Sequence, residues 1–227
     1  MKKYAIIVAV GTGSRMKKDI PKQFTLLNGK PIIEYSIESF NNYDPDLQII
    51  LVIHPEYIEF WKHLCLEHKI SVPCKIVNGG ETRFHSVKNG LESIEADGFV
   101  AIHDAARPMI DVAFVGQLFE EASIYGSAVP GIALNDTIRL LENNTSRQLD
   151  RNLLRAMQTP QVFNVSELKH AYLQTFQPLF TDDASVMQLA GYPLHLTEGR
   201  LENIKITIQK DLAIAEMMMK LINDGQL

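Results

Sequence analysis

The stretch Tyr4-Ala-Ile-Ile-Val-Ala-Val10, running directly into Gly11-Thr-Gly-Ser-Arg-Met16, decides the class of fold. Seven apolar residues without polar alternation describe a strand covered on both faces, which is the situation of a parallel sheet. The glycines that stop it allow a sharp turn and bring backbone N–H groups against an anion without an intervening Cβ. Open parallel sheets bind ligands where their strands end, so the turn is placed for a site. Met16 stands where the dinucleotide fingerprint needs its third glycine, and the Gly-Lys-Ser/Thr of a P-loop is missing. Taken alone, the turn is equally an ordinary glycine bend. Preceded by Met1-Lys2-Lys3, the run faintly imitates a signal peptide, but it is too short and lacks a cleavage region; a buried first strand is the better reading.

Outward from that strand the same rhythm repeats. Apolar runs at Gln48–Ile53, Cys74–Val77, Gly98–Ile102 and Ser127–Ile132 alternate with helix-like stretches at Pro31–Phe40, Pro55–His68, Glu81–Ile94 and Val112–Tyr125. This predicts an α/β fold, a Rossmann-like, mostly parallel sheet flanked by helices. Pro31 suits a first helical turn, and Gly126 a left-handed cap. Past residue 134, Asp136–Leu141 and Gln148–Met157 read as two strands around the turn-forming Glu142-Asn-Asn-Thr-Ser146, an inserted β-hairpin arm spanning about 136–157. Helices near Val165–Gln174, Asp183–Ala190 and Lys210–Ile222 follow, with strands at Leu194–Thr197 and Ile204–Ile206. No linker or repeat interrupts the chain, so 1–227 is expected to be a single domain.

Composition narrows the function. A chain of 227 residues, 46% hydrophobic and 22% charged, buries roughly 70–75% of its unfolded surface and needs no disulfide staple. Its net charge of -5 argues against a nucleic-acid binder, which requires a basic face. No apolar stretch approaches the roughly 18–20 residues that span a bilayer, so no membrane partner is expected. Two cysteines, Cys65 in a helix and Cys74 in a Val-Pro-Cys-Lys turn, fit a reducing, cytoplasmic setting.

Chemistry-bearing residues gather at two strand ends. Arg15, Lys17, Lys18 and Lys22 follow the glycine turn, and such a cationic loop neutralises a polyphosphate; Lys17 and Lys18 read better as a solvated face. His103-Asp-Ala-Ala-Arg-Pro108 closes the fourth apolar run. Two readings of Asp104 stand side by side: a carboxylate for Mg²⁺ on a nucleotide, or a loop salt bridge with Arg107. His103 reads as a satisfied structural histidine. His63, Cys65 and His68 fit no zinc spacing, and Asp182-Asp183 reads as a helix cap rather than a metal pair.

In order along the chain stand Gly11-x-Gly-x-Arg-Met16, Pro21-Lys-Gln-Phe24, Gly79-Gly-Glu-Thr-Arg-Phe-His-Ser86, His103–Pro108, Asp136-Thr137, Gln158-Thr-Pro-Gln161, Thr181-Asp-Asp-Ala-Ser185 and Glu198–Thr207. Together they resemble the 2-C-methyl-D-erythritol 4-phosphate cytidylyltransferase family from Tyr4 to the last helix. The resemblance implies transfer of CMP from CTP to methylerythritol phosphate with Mg²⁺. It implies Arg15 and Lys22 on the triphosphate and Lys205 at the α-phosphate. Ala9, Val10, Gly11, Gly80 and Ser86 would line the cytidine pocket, and Asp104 would hold metal and nucleotide. Arg107, Thr137, Arg151, Thr159, Thr181 and Thr207 would surround the sugar phosphate, and the arm would complete the neighbouring site of a homodimer. Val10 departs from the small residue usual there and is expected to point into the core. A ribitol-5-phosphate cytidylyltransferase is the nearest alternative, disfavoured by Ala105-Ala106 and Thr181–Ser185. A non-catalytic nucleotide-binding regulator would be expected to lose Lys22 and Lys205.

Overall fold

The computed structural model describes residues 1–11 and 20–226. Strand β1 (Lys2–Ala9) runs parallel to β4 (Gln48–Ile53) on one side and to β6 (Gly98–Asp104) on the other, and β5 (Cys74–Asn78) extends the sheet beyond β4. Along β1 the side chains alternate between two cores. Ala5, Ile7 and Ala9 join one cluster, and Tyr4, Ile6 and Val8 the other. Both faces are therefore buried, as the unbroken apolar run requires. Helices α1 (Ile32–Tyr43), α2 (Ile58–His68) and α4 (Val112–Tyr125) supply the first core through Ile37, Trp61 and Phe114. Helices α3 (Arg83–Glu92), α5 (Val165–Ala171) and α6 (Asp183–Leu189) supply the second through Val87, Leu168 and Met187. A short hairpin, β2 (Leu26–Leu27) and β3 (Lys30–Pro31), and the last helix, α7 (Gln209–Asn223), enclose a third, small cluster of Leu27, Ile32, Ile206, Leu212 and Ala215. Among the described residues no helix is long and apolar enough to cross a membrane.

Beyond β6 the sheet becomes mixed. Strand β7 (Ser127–Ala133) is joined to β6 through β11 (Gln161–Asn164), which is antiparallel to both. β10 (Arg155–Met157) pairs antiparallel with β7, and β12 (Leu196–Glu198) pairs parallel with it. Gly126 ends α4 at φ 85°, the left-handed cap expected of it. Pro31 lies one position earlier than expected, as the N-cap of α1.

Four expectations need correction. The arm is β8 (Ile138–Glu142) and β9 (Thr145–Leu149), turned by Asn143 and Asn144 at φ 47° and 62°. Its second strand does not reach Met157: a 3-10 turn at Arg151–Leu153 breaks the chain, and Arg155–Met157 returns to the main sheet. Ile204–Ile206 forms no strand: the Ile206 N–H donates to Ala106 O at 2.9 Å, while the Ile204 N–H turns back to Glu202 O at 2.7 Å. Cys74 opens β5 rather than sitting in a turn, and the first three residues of the expected Pro55–His68 helix are a separate 3-10 turn. Cys65 and Cys74 are free thiols, pushed up by burial to about 11 and about 12.

Candidate active site

The carboxyl end of β6 carries Asp104, whose side chain is 12% exposed. Its Oδ2 lies 2.7 Å from Lys205 Nζ and 4.0 Å from Arg107 Nε, and its Oδ1 lies 3.2 Å from Arg83 Nε. Burial alone would raise this carboxyl; the cations, Arg83 first and then Lys205 and Arg107, hold it well below the usual carboxylate range. The loop reading with Arg107 thus describes the longest of three ion pairs. The strand end is also pinned through the backbone. The Asp104 N–H donates to Thr159 Oγ1 at 3.0 Å, and the Ala105 N–H to Val8 O at 3.1 Å.

His103 points the other way, fully buried, with Nε2 against Ser36 Oγ and Arg107 O and Nδ1 against Thr159 Oγ1. Burial pushes its pKa down to about 4, partly offset by Asp104. It is the satisfied structural histidine that the sequence suggested. Thr159 is buried as well, and its hydroxyl braces both Asp104 and His103 at the strand end. Arg107 donates from Nη1 to Asn203 O at 2.7 Å, while its buried Nε has no hydrogen-bond partner among the described residues. Burial lowers the Arg107 pKa, and Asp104 restores part of it.

The end of β1 faces β6. Ala9 is buried, Gly11 is exposed, and buried Gln23 donates from Nε2 to Ala9 O at 2.7 Å and Gly11 O at 3.1 Å. Gln23 thereby fixes the exit of the strand into the turn, a role not foreseen from its membership of Pro21–Phe24. Val10 packs on the second core, and its Cγ1 occupies the place a Cβ on Gly79 would need. The valine is thus turned into the core, as expected, and it requires a glycine opposite. Gly80 donates its N–H to Ser86 Oγ at 3.0 Å, while Ser86 donates to Thr82 O at 2.8 Å. Thr82 caps α3, so the Gly79-Gly80 loop and the helix start form one unit.

Arg15 lies outside the described residues, as do Met16, Lys17 and Lys18. Thr207 is half-buried and donates to Lys205 O at 3.1 Å, and Asp211 accepts its backbone N–H at the start of α7. Thr181 is exposed just before α6, where Asp182 caps the helix by accepting from the Ser185 N–H. Thr137 and Arg151 are exposed at the base of the arm, Arg151 donating to Asn135 O. The structure brings Asp104, Arg107 and Lys205 into contact. Thr137 and Arg151 instead flank a two-stranded sheet that, among the described residues, pairs with no strand of the main one. A cavity of about 530 Å³ beside α7, lined by residues such as Tyr35, Met109, Arg200 and Met219, includes none of these side chains.

One residue that sequence reasoning missed is Arg83. Besides Asp104 it binds Asp183, with Nη2–Oδ2 at 2.7 Å, and Tyr172 donates to Asp183 Oδ1 at 2.6 Å. Burial would lower the Arg83 pKa, but Asp183 and Asp104 raise it well above normal. Its partners lie 21 and 100 residues away, which no local pattern could signal.

The chain matches known proteins along nearly its whole length. The family described as IspD, 2-C-methyl-D-erythritol 4-phosphate cytidylyltransferase, matches residues 4–221. The chain belongs to that family. A Bacteroides thetaiotaomicron protein of that name is 47% identical over 219 residues, covering 96% of this chain and 100% of the relative. A Bacillus velezensis namesake is 38% identical over 97% of each chain. Among solved structures, the Thermus thermophilus cytidylyltransferase superposes with a TM-score of 0.76 at 27% identity, covering 97% and 100%. The Anaerococcus prevotii 4-diphosphocytidyl-2C-methyl-D-erythritol synthase reaches 0.82 at 22% identity over 96% and 98%, a likeness of fold. This cytidylyltransferase family accounts for the nucleotidyltransferase fold.

Proposed function

We propose that the carboxyl ends of β1 and β6, with the 204–207 segment, are where this family member joins CTP to 2-C-methyl-D-erythritol 4-phosphate. The observation that carries this reading is Asp104 surrounded by Lys205, Arg83 and Arg107 at the end of a parallel strand. An oxygen of the sugar phosphate forms a bond to the α-phosphorus of CTP, and the bond from that phosphorus to the bridging oxygen of the β-phosphate breaks. The products are 4-diphosphocytidyl-2-C-methyl-D-erythritol and pyrophosphate. Such a reaction needs in-line placement and compensation of negative charge more than it needs a nucleophilic side chain.

Each residue then has a task. Gly11, Gly80 and Ser86, with the backbone of Ala9 and Val10, line the cytidine side; Arg15 and Lys22 neutralise the triphosphate. Lys205 is the cation for the α-phosphate. Its side chain is 41% exposed against 12% for Asp104, so it is the partner free to swing from the carboxylate to an incoming phosphate. Arg107, Thr181 and Thr207 face the sugar phosphate. Among the described residues no three His, Cys, Asp or Glu side chains gather as a metal cage. A single carboxylate at the strand end fits Mg²⁺ that arrives with phosphate oxygens, the manner in which this hard cation is usually held. Asp104 would hold it, and when bound it would offset charge on the phosphates.

Thr137 and Arg151 belong to the arm, and we assign them to the site of a second copy. Leu141 and Leu153 are 78% and 83% exposed, more apolar surface than a free two-stranded hairpin tolerates. A two-fold homodimer buries that face twice. The deciding assay gives the purified chain CTP with either methylerythritol phosphate or ribitol 5-phosphate and follows pyrophosphate release. Release with the first alone is expected; release with the second alone, or with neither, overturns the reading.

A further inference from the structure

We infer that Arg83 is a positioning residue that locks the nucleotide carboxylate Asp104 and the sugar-phosphate loop before α6 into one rigid arrangement. The inference rests on the functional reading above and deepens it. Arg83 is the first residue of α3, directly after the Thr82 cap, so its backbone is fixed by the same turn that sets Gly80 and Ser86. From there its guanidinium reaches in two directions, Nε to Asp104 Oδ1 at 3.2 Å and Nη2 to Asp183 Oδ2 at 2.7 Å. Asp183 is wholly buried and receives the Tyr172 hydroxyl on its other oxygen, so it cannot turn away. Asp183 is also the first residue of α6, two positions after Thr181. One planar group therefore spans the end of β6, the start of α3 and the start of α6.

Two consequences follow for the chemistry. Asp104 Oδ1 is occupied from behind, so Oδ2 is the oxygen that Lys205 now holds and that a metal-bound nucleotide would meet. Thr181 keeps a fixed offset from that oxygen, and a misplacement near 1 Å costs about 10²-fold in rate. A lysine at position 83 keeps the charge but presents a single nitrogen, without the fork that serves both carboxylates. Helix α6 has a second tether, because buried Gln161 donates to Asp182 Oδ2 at 2.8 Å and accepts from the Ala184 N–H at 2.9 Å. That tether lets an Asp183 variant keep α6 docked while the link to Arg83 is weakened.

The experiment compares Arg83→Lys and Asp183→Asn with the unaltered chain in three measurements. These are kcat and KM for each substrate by pyrophosphate release, Mn²⁺ affinity of the CTP complex by electron paramagnetic resonance without the second substrate, and the thermal midpoint. Arg83→Lys is expected to lower kcat about 10²-fold and to weaken Mn²⁺ about 10- to 100-fold, as loss of a group orienting a metal ligand does. Asp183→Asn is expected to raise KM for methylerythritol phosphate about 10-fold while leaving Mn²⁺ affinity in place. A purely structural role would lower the midpoint and move neither KM nor Mn²⁺ affinity; that result in either variant overturns the inference. Should Arg83→Lys fail to fold, an unchanged KM in Asp183→Asn overturns it. An unaltered chain that releases no pyrophosphate would instead defeat the functional reading, and the Mn²⁺ titration would still report on Arg83.

Discussion

At the end of β6 both carboxylate oxygens of Asp104 face cations, and the neighbouring His103, Thr159 and Gln23 are buried and hydrogen-bonded. In the arm, β8 and β9 pair, among the described residues, with each other alone, and nearly every side chain from Arg139 to Asn152 is open to solvent. One region is assembled entirely from its own chain; the other carries polar residues suited to a phosphate and nothing of its own to aim them at. The contrast shows where preorganisation resides. On the proposed reading the sheet holds the charges that would act on CTP, and the arm would supply its part only when a second copy accepts it.

The largest expected effect lies on the preorganised side. Lys205→Ala removes the cation proposed for the α-phosphate, and losing one such group typically costs about 10²–10³ in rate, roughly 3–4 kcal/mol. Turnover should fall by that factor while the dissociation constant for CTP changes much less. Turnover near normal in stopped assays would erase the distinction between the two regions.

The next test works on the other side. Arg151→Ala chains and Lys22→Ala chains, each inactive alone, are mixed under conditions of proven subunit exchange. If the arm serves the neighbour, each heterodimer contains one site with both residues intact and one with both defects, and activity should return to about half per heterodimer. If Arg151 serves its own subunit, every site keeps one defect and mixing restores nothing.

The sequence made the parallel half of the sheet legible because burial on both faces leaves unbroken apolar runs. Gln48–Ile53 and Val112–Tyr125 are found with the bounds expected. β11 was not legible. Its four residues run from just after a Thr-Pro pair to Asn164, itself the cap of α5, and carry no strand period; their antiparallel insertion reflects packing with β6 and β7. Ile204–Ile206 misled for an instructive reason. Its isoleucines pack toward α7 and Lys205 points to Asp104, so the alternation of a strand is present without a ladder. In the site, glycines and charges showed themselves through motifs, whereas the partnership of Arg83 with Asp183 depends on how two distant helices meet. Thr159 was visible as a motif residue, but its burial was not.

A third prediction separates the regions by acid. His103 has a folded pKa near 4 against an ordinary 6.5, so the unfolded chain binds its proton first. Its contribution is fully present above pH 6.5 and is lost as pH falls toward 4, up to about 3 kcal/mol in all. Asp104, held low by its cations, gives way only below the ordinary carboxylate range. Denaturant titrations at stepped pH should show stability declining through this window. His103→Asn should flatten that decline, and an unchanged slope would mean that His103 does not carry it.

The smallest effects test whether the arm is energetically separate from the body. Asp111 caps α4 by accepting the Phe114 N–H at 2.6 Å, and α4 lies in the first core through Phe114 and Leu118. Asp111→Ala should therefore cost about 1 kcal/mol of global stability, a drop of roughly 2–4 °C in midpoint for a chain of this size. Asn144 turns the hairpin at φ 62°, a conformation that glycine adopts without strain and that two-residue hairpin loops favour. Asn144→Gly improves the turn, yet the turn contributes nothing to any of the three hydrophobic clusters. The global midpoint should stay within about 0.5 kcal/mol of the unaltered chain, while amide exchange slows at Leu140 and Arg147, which face each other across β8 and β9. At dilutions that would dissociate the proposed dimer this independence should persist, because no partner would then couple the hairpin to a core. A midpoint that rises with Asn144→Gly in the monomer would show that the arm folds with the body, and the division drawn between the two regions would fall.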